Sequence, residues 1–486
     1  MTENLGNRPT TEEIQTYREI AGAYDPDMDT EALNAQIAEF HRGKKWILLP
    51  DAAAGATQLA TQLDEWGAAG IMVVAAVEGV GELPQVDRIH YTRTSGDTVM
   101  QGVRAYLGSV ERPSALLLGS VEVFDPEGEA AVLGGGFSRL DTLAGRPVYG
   151  AKPEAWGALE DKTTVDQLWD DAGVRRAPSV VVPIAKAVAA SISFDFEDGS
   201  VWAADNAEGW HGGGEYIRWV QNAGDAVSAV KWLSAHAEMV RVMPFLDGIP
   251  CSIHGFVTRD GVAVFRPVEM VILRHADKPE FVYAQAANYW DPPDGVADDM
   301  RSAARSVGEL LHERHGYLGG FGIDGVCTRD GFLPTELNPR LCIGHGLQAR
   351  AADLSLASME RMMIEGDLEI TAQDLEHAMV SAASTSRRGG MLLPLTPTYA
   401  ADETGVRFDS GRAVAVDVDG DSDAKMEIGS ASMGSIVILR LDPDRTPIGP
   451  SVAPKAIQAI DLARELWGID VPPLVPAPDL CGGIEQ

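Results

Sequence analysis

Long apolar runs are missing from this 486-residue chain; none approaches the roughly 20 residues that a membrane-spanning helix needs. The opening MTENLGNRPTTEEIQTYREI is polar and lacks the apolar stretch of a signal peptide. Cysteine is scarce. The four present (Cys251, Cys327, Cys342, Cys481) form no CxxC pair and no disulfide framework, so a reducing cytoplasm is the expected location. Positive charge is short as well: 39 Lys and Arg against 72 Asp and Glu leave a net charge of −33. Such a field repels nucleic-acid backbones and anionic membranes, and neither is an expected partner. It leaves room for an anionic ligand in a local basic pocket. The dinucleotide fingerprint is absent too. The turn after the first apolar run, Asp51 to Thr57, holds only Gly55, and Gly134–Gly136 follow a stretch that reads as helix.

What is present is ordinary globular composition, 45% hydrophobic and 23% charged, in a chain long enough for about three domains. Residues 1–42 read as a helical arm. From Lys44 to about 150, the apolar runs WILLPDAAAG, IMVVAAVEG and PSALLLGS alternate with helical segments. Continuously apolar strands of this kind indicate a parallel sheet covered on both faces, so residues 43–150 are expected to form a Rossmann-like layer. Residues 151–375 mix helices with short strands. Residues 376–486 read as a small β-rich domain with one late helix at 454–467. The fold class is α/β.

Two segments share Thr-Arg-Asp-Gly between strand-like runs, HGFVTRDGVAVFR (254–266) and DGVCTRDGFLPTE (324–336). Asp-Gly between β-prone runs marks a hairpin, so two similar hairpins in one sheet are expected. In the second, Asp324 and Glu336 are an even 12 positions apart. A three-residue loop of Arg329, Asp330 and Gly331 places them directly opposite, whereas a two-residue loop places them on opposite faces. In the odd-loop register Asn338 shares that face, with Arg340 next along. Two facing carboxylates repel unless protonated or bridged by cations. Oxygen donors without Cys or His suit Mg²⁺ or Mn²⁺, and a nearby Arg suits a phosphoryl or acyl-phosphate centre.

FGIDGVCTRDGFLPTELNPR resembles the metal-binding core of the ATP-grasp superfamily, whose closing strand has the form Glu-x-Asn-x-Arg. Upstream, AKPEAWGALEDKTTVDQLWDDAGVRRAPS resembles the superfamily's opening segment, and VRVMPFLDGIPCSIHGFV its hinge strand and hairpin. The three occur in the expected order, and the similarity covers roughly 150–375. It implies two α+β lobes clasping ATP, preceded by a Rossmann-like domain, and ATP-dependent joining of a small-molecule carboxylate to an amine, with an amino acid or peptide among the substrates. It implies Lys162 as the first nucleotide lysine, Phe245 and Leu246 beside adenine, and Gly212, Gly213 and Gly214 as the flexible loop over the phosphates. Asp324, Glu336 and Asn338 match the metal ligands and Arg340 the Arg near the transferred phosphoryl group. Dimers are common in the family, and the residues themselves do not fix the assembly.

Two positions depart from the pattern: Ala203 and Ala204 stand where a second nucleotide Lys is usual, and Met243 where the hinge commonly begins with Glu. They motivate a different reading, a non-catalytic nucleotide-binding or scaffold protein. The first hairpin, read in the same register, sets His254 opposite Arg266. The resemblance, in which arginines around this sheet commonly hold the acid substrate's carboxylate, implies Arg266 and Arg274 as candidates for that contact, and His254 is a candidate acid or base. DVDGDSD (417–423) lacks the Gly and Glu positions of a calcium loop and reads as an acidic turn.

Overall fold

In the computed structural model the described residues are 30–135, 138, 140–194, 198–205, 212–418 and 420–481. Most of the expected N-terminal arm, with His211 and Trp210 of the Gly-rich region, lies outside them. Helix α1 (Thr30–His41) leads into the first layer: β1 (Lys45–Leu48), α2 (Thr57–Glu65), β2 (Gly70–Ala75), β3 (Arg88–Tyr91), α3 (Val99–Glu111), α4 (Ala115–Phe124) and β4 (Ala131–Leu133). Its four strands run parallel in the order β3-β2-β1-β4. Ile47, Met72, Val73 and Val74 are fully buried, as a sheet covered on both faces requires.

One expected strand is a helix. PSALLLGS opens α4, because Ser114 caps it by accepting from the Leu117 amide, and Leu117 and Val121, four apart, face the core while Leu116 and Val123 are exposed. The helix-like reading before Gly134 is corrected as well: Gly134 directly follows β4, whose Val132 and Leu133 are buried.

The next lobe holds α5 (Val165–Asp171), β5 (Val180–Pro183), β6 (Ser200–Ala204), β7 (Ile217–Val220), α6 (Ala223–Leu233) and β8 (Met239–Pro244). Its antiparallel sheet has the order β5-β8-β6-β7. The third sheet contains β9 (Ile249–Val257), β10 (Val262–Val264), β11 (Val268–His275) and β12 (Phe281–Ala287), then, after the long helix α7 (Asp294–His315), β13 (Gly319–Thr328) and β14 (Gly331–Asn338). Its order is β12-β11-β9-β13-β14, with β10 hydrogen-bonded to β9, so both Thr-Arg-Asp-Gly hairpins share one sheet. Helices α8 (Ile343–Ala351), α9 (Leu356–Glu365) and α10 (Ala372–Thr385) follow.

A C-terminal sheet of β15 (Gly390–Leu395), β16 (Asp402–Asp409), β17 (Arg412–Val416), β18 (Ala424–Ala431) and β19 (Gly434–Leu441) packs against β11 and β12. Helix α11 (Ala453–Trp467) and the short strand β20 (Leu474–Val475), which pairs with β11, complete the described chain. The acidic turn near 421 is answered by Arg445, which ion-pairs with Asp421 and Asp423.

The expectation of no disulfide framework is corrected at one pair. Cys327 is disulfide-bonded to Cys481, with Cα atoms 5.7 Å apart, while Cys251 and Cys342 are free. Their separation of 154 positions hid the pair, because distance along the chain says nothing about segments brought together in the fold.

The C-terminal helix is anchored by one buried carboxylate. Glu269 on β11 accepts from the Ser451 hydroxyl at 2.5 Å and from the Val452 amide at 2.8 Å, just ahead of α11. Burial pushes Glu269 up to about 7, against the lowering effect of those donors. The folded state therefore holds a proton that the unfolded chain releases above its usual carboxylate range. Stability should fall as pH rises from about 4.5 to about 7, by about 3 kcal/mol at most from this group. Denaturant titrations across pH 4–9 should show that slope in the wild type and a flatter one in Glu269→Gln. Equal slopes would refute the assignment.

Candidate active site

The carboxylates meet by a different route from the one the spacing implies. The second hairpin turns through only two residues, Arg329 and Asp330, with Thr328 opposite Gly331 and Cys327 opposite Phe332. Alone, that turn would throw Asp324 and Glu336 onto opposite faces. A β-bulge then shifts the register between Gly325, which pairs with Pro334, and Asp324, which pairs with Glu336. Thr335 is the extra residue, and its hydroxyl donates to the Asp324 carbonyl at 3.2 Å. Its own carbonyl accepts from Arg241 of β8 at 3.1 Å. Gly325 permits the close approach, since a Cβ there would fall 2.4 Å from the Leu333 carbonyl oxygen.

The first hairpin has the same short turn but no compensating bulge before its site residue. Val257 pairs with Val262, and the Phe265 amide donates to the His254 carbonyl at 2.9 Å, so His254 lies opposite Phe265 rather than Arg266. Arg266 is instead engaged by Asp291 at 2.6 Å and Ser384 at 3.1 Å, and Asp291 also pairs with Arg387. Arg274 ion-pairs with Asp247 at 2.8 Å and stacks over Phe245. It lies at the hinge, six residues along β11 from Val268, which pairs with Ser252 beside Asp324; that is roughly 20 Å of strand.

Around the facing carboxylates the structure gathers Lys162, Asn338 and Arg340. Lys162 is buried and sits 2.8 Å from Glu336. The Asn338 amide donates to Asp324 at 2.9 Å, and Arg340 donates to the Asn338 carbonyl oxygen at 2.7 Å. Burial raises the Asp324 pKa first, and the Glu336 charge raises it further. Ser252, opposite Asp324, hydrogen-bonds both to its carboxyl and to His254, at 3.3 Å in the latter case. His254 therefore touches the site, yet burial drives its pKa well below the ordinary histidine range and it stays neutral.

Sequence reasoning missed Glu160. It is fully buried two residues before Lys162 and takes Arg340 at 2.9 and 3.1 Å, and its second oxygen has no hydrogen-bond partner. Cys342 was missed as well; burial pushes its thiol up to about 12. His254, Cys342 and His345 bring ligand atoms within 4.8 Å of one another, which would suit a soft metal. The nitrogens of His345 are both committed, however, one accepting from the Cys342 amide at 2.9 Å and the other 3.0 Å from the Gly255 carbonyl. His345 keeps no lone pair for an ion.

At the other end of the cleft, Phe245 and Leu246 join β8 to β9. Phe245 stacks on Trp219 at 4.1 Å between centroids, and Trp219 stacks on Phe281 at 5.4 Å. This aromatic wall was legible only as isolated residues. Gly212, Gly213 and Gly214 lead into Glu215, which Arg104 of α3 grips at 2.8 and 2.9 Å, tying the Gly-rich stretch to the first layer. Ala203 and Ala204 are buried in β6, so no cation occupies the position of a second lysine there. Met243 accepts from Arg241 at 3.3 Å.

No family model and no curated protein matches the sequence. Solved structures do match the fold. Rhizobium etli pyruvate carboxylase aligns at TM-score 0.54 and 15% identity over 89% of this chain, which spans 38% of that longer one. Campylobacter jejuni biotin carboxylase aligns at 0.51 and 14%, over 89% of this chain and 92% of its own. The biotin carboxylase domain of Hydrogenobacter thermophilus 2-oxoglutarate carboxylase gives 0.50 and 13%, with the same coverage. The chain therefore shares the fold of these carboxylase structures.

Removing one partner of a buried ion pair strands the other charge. Glu160→Ala should destabilise the protein by about 3 kcal/mol, and the double variant Glu160→Ala/Arg340→Met should recover much of that loss. A double-mutant cycle by denaturant unfolding reads both. Strict additivity would refute the coupling.

Proposed function

We propose that this protein is an ATP-dependent carboxylate–amine ligase. The observation that carries the reading is the convergence of Asp324, Glu336, Asn338, Lys162 and Arg340 on one face at the end of the cleft remote from the hinge. The hinge side carries the stacked rings of Phe245, Trp219 and Phe281, and a purine ring would lie along the backbone of Phe245 and Leu246 beside them. The Hydrogenobacter domain was solved with MgADP, ADP and bicarbonate.

The donor set fits a divalent cation. It is made of oxygens, and its two facing carboxylates include one whose ionisation is held back by burial and by the other. Asp324, Glu336 and the Asn338 oxygen would hold Mg²⁺, which supplies neutralisation of phosphate charge. Lys162 binds phosphate oxygen, exchanging its Glu336 partner for the nucleotide. Arg340, steadied by Glu160, stabilises the γ-phosphoryl group in transfer and then the tetrahedral oxyanion. In the reaction, a carboxylate oxygen of the acid attacks the γ-phosphorus as the bond to ADP breaks, giving an acyl phosphate. The amine nitrogen attacks the acyl carbon, phosphate leaves, and the nitrogen loses a proton. Gly212–Gly214, drawn toward α3 by the Arg104–Glu215 pair, would exclude water that could hydrolyse the intermediate.

An open cavity of about 960 Å³ lies at the carboxyl ends of β2 and β3, bordered by the turn between β18 and β19. Glu78, Arg93, Thr94, Asp97, Ser430 and Ser432 line it. Its mixed charges suit a zwitterionic substrate such as an amino acid. Crevices outside the carboxyl ends of parallel strands are the usual ligand positions in such layers.

Phosphate release from ATP and Mg²⁺ should require both a carboxylate and an amine from substrate panels. It should fall by about 10²-fold or more in Glu336→Ala. Release independent of the amine would instead identify a phosphatase-like activity. Calorimetry showing no ATP binding would favour the scaffold reading that Ala203, Ala204 and Met243 motivate.

A further inference from the structure

Cys327 lies three residues beyond Asp324 on β13, directly opposite Ile249, the first residue of β9 after the hinge. Its disulfide to Cys481 is packed into the same apolar cluster as Ile249, Cys251 and Phe332. Contact with the hinge is close. A Cβ on Gly248 would fall 2.1 Å from the Cys327 carbonyl oxygen, and Gly248 has a φ of +140°.

The segment that ends in Cys481 touches the hinge a second time. Leu474 and Val475 pair with His275 and Arg274, and the Ala276 amide donates to the Pro473 carbonyl at 3.0 Å. Arg274 in turn holds Asp247 and covers Phe245, both hinge residues. Residues 473–481 thus form a strap, hydrogen-bonded at one end to the strand that carries Arg274 and tied covalently at the other to the strand behind Gly248. Within the strap Leu474, Ala477 and Cys481 are buried.

We propose that the Cys327–Cys481 pair is a redox modification site whose state sets the rigidity of the hinge at residues 245–249. Opening is thiol–disulfide exchange with a low-molecular-weight thiol. Its thiolate attacks the sulfur of Cys481, a residue that keeps 9% of its surface exposed where Cys327 keeps none. The S–S bond breaks and Cys327 leaves, taking up a proton. A second small thiol then resolves the mixed disulfide, so two protein thiols and one small disulfide result and the two electrons come from the small thiols. Closing is the reverse, with the small disulfide as oxidant. Cys251 on the neighbouring strand does not compete, because burial holds its thiol far above the ordinary range.

The test equilibrates the full chain in reduced or in oxidised glutathione. Denatured, alkylated samples should show two fewer free thiols after oxidation, with Cys327 and Cys481 joined in the peptide map. Amide hydrogen exchange of residues 245–249 should be on the order of threefold or more faster in the reduced protein. Cys481→Ser should exchange at the reduced rate in both buffers. Four free thiols in both buffers, or equal hinge exchange in all three samples, would overturn the proposal. The consequence for ATP rests on the ligase reading: affinity should be several-fold weaker after reduction. A hinge-exchange difference without ATP binding in either state would sink that reading and uphold the clasp.

Discussion

Two carboxylates facing each other across a strand pair are the constraint on which the rest of the site depends. Asp324 and Glu336 would repel if left bare and buried, and everything near them answers that repulsion. Lys162 sits against Glu336, Asn338 donates to Asp324, and Ser252 donates from the neighbouring strand. Arg340 closes the ring through Asn338 and is balanced from outside by Glu160. The alternation of signs allows so many ionisable groups to share a small volume.

The pair exists only because the backbone departs from regularity. A two-residue turn sets one register, and one extra residue, Thr335, restores the other. The bulge is fastened on both sides, by its own hydroxyl to the Asp324 carbonyl and by the buried guanidinium of Arg241, which reaches from the other lobe. Arg241 also pairs with Asp166 of α5 at 2.7 Å, so one side chain links α5, the sheet of β5 to β8 and the bulge. Geometry at the carboxylates is therefore coupled to the relation between the lobes.

The comparison between the two hairpins shows how far local sequence can be read. Both share Thr-Arg-Asp-Gly and the same turn, yet only one carries a bulge next to its site residue. Opposition of Asp324 and Glu336 was correctly expected from an incorrect loop length, and opposition of His254 and Arg266 failed under the identical argument. A bulge is chosen by what packs on it, here Arg241 and the tight contact at Gly325, and neither is visible in the hairpin's own residues. In the same way PSALLLGS has the composition of a buried strand, and the Ser114 cap together with one-sided burial makes it a helix.

The sequence by itself determined the parallel first layer, the two hairpins in one sheet, the hinge segment and the identity of the carboxylate, amide and arginine set. These follow from periodicities and short motifs carried by consecutive residues. Only tertiary structure decided the register that makes the carboxylates face, the pairing of Glu160 with Arg340, the diversion of Arg266 and Arg274 to other carboxylates, the aromatic wall of Trp219, Phe245 and Phe281, and the joining of Cys327 to Cys481. Each of those joins segments far apart in the chain. Their energies come from burial and from the desolvated charges that burial forces together, quantities that a one-dimensional pattern does not contain.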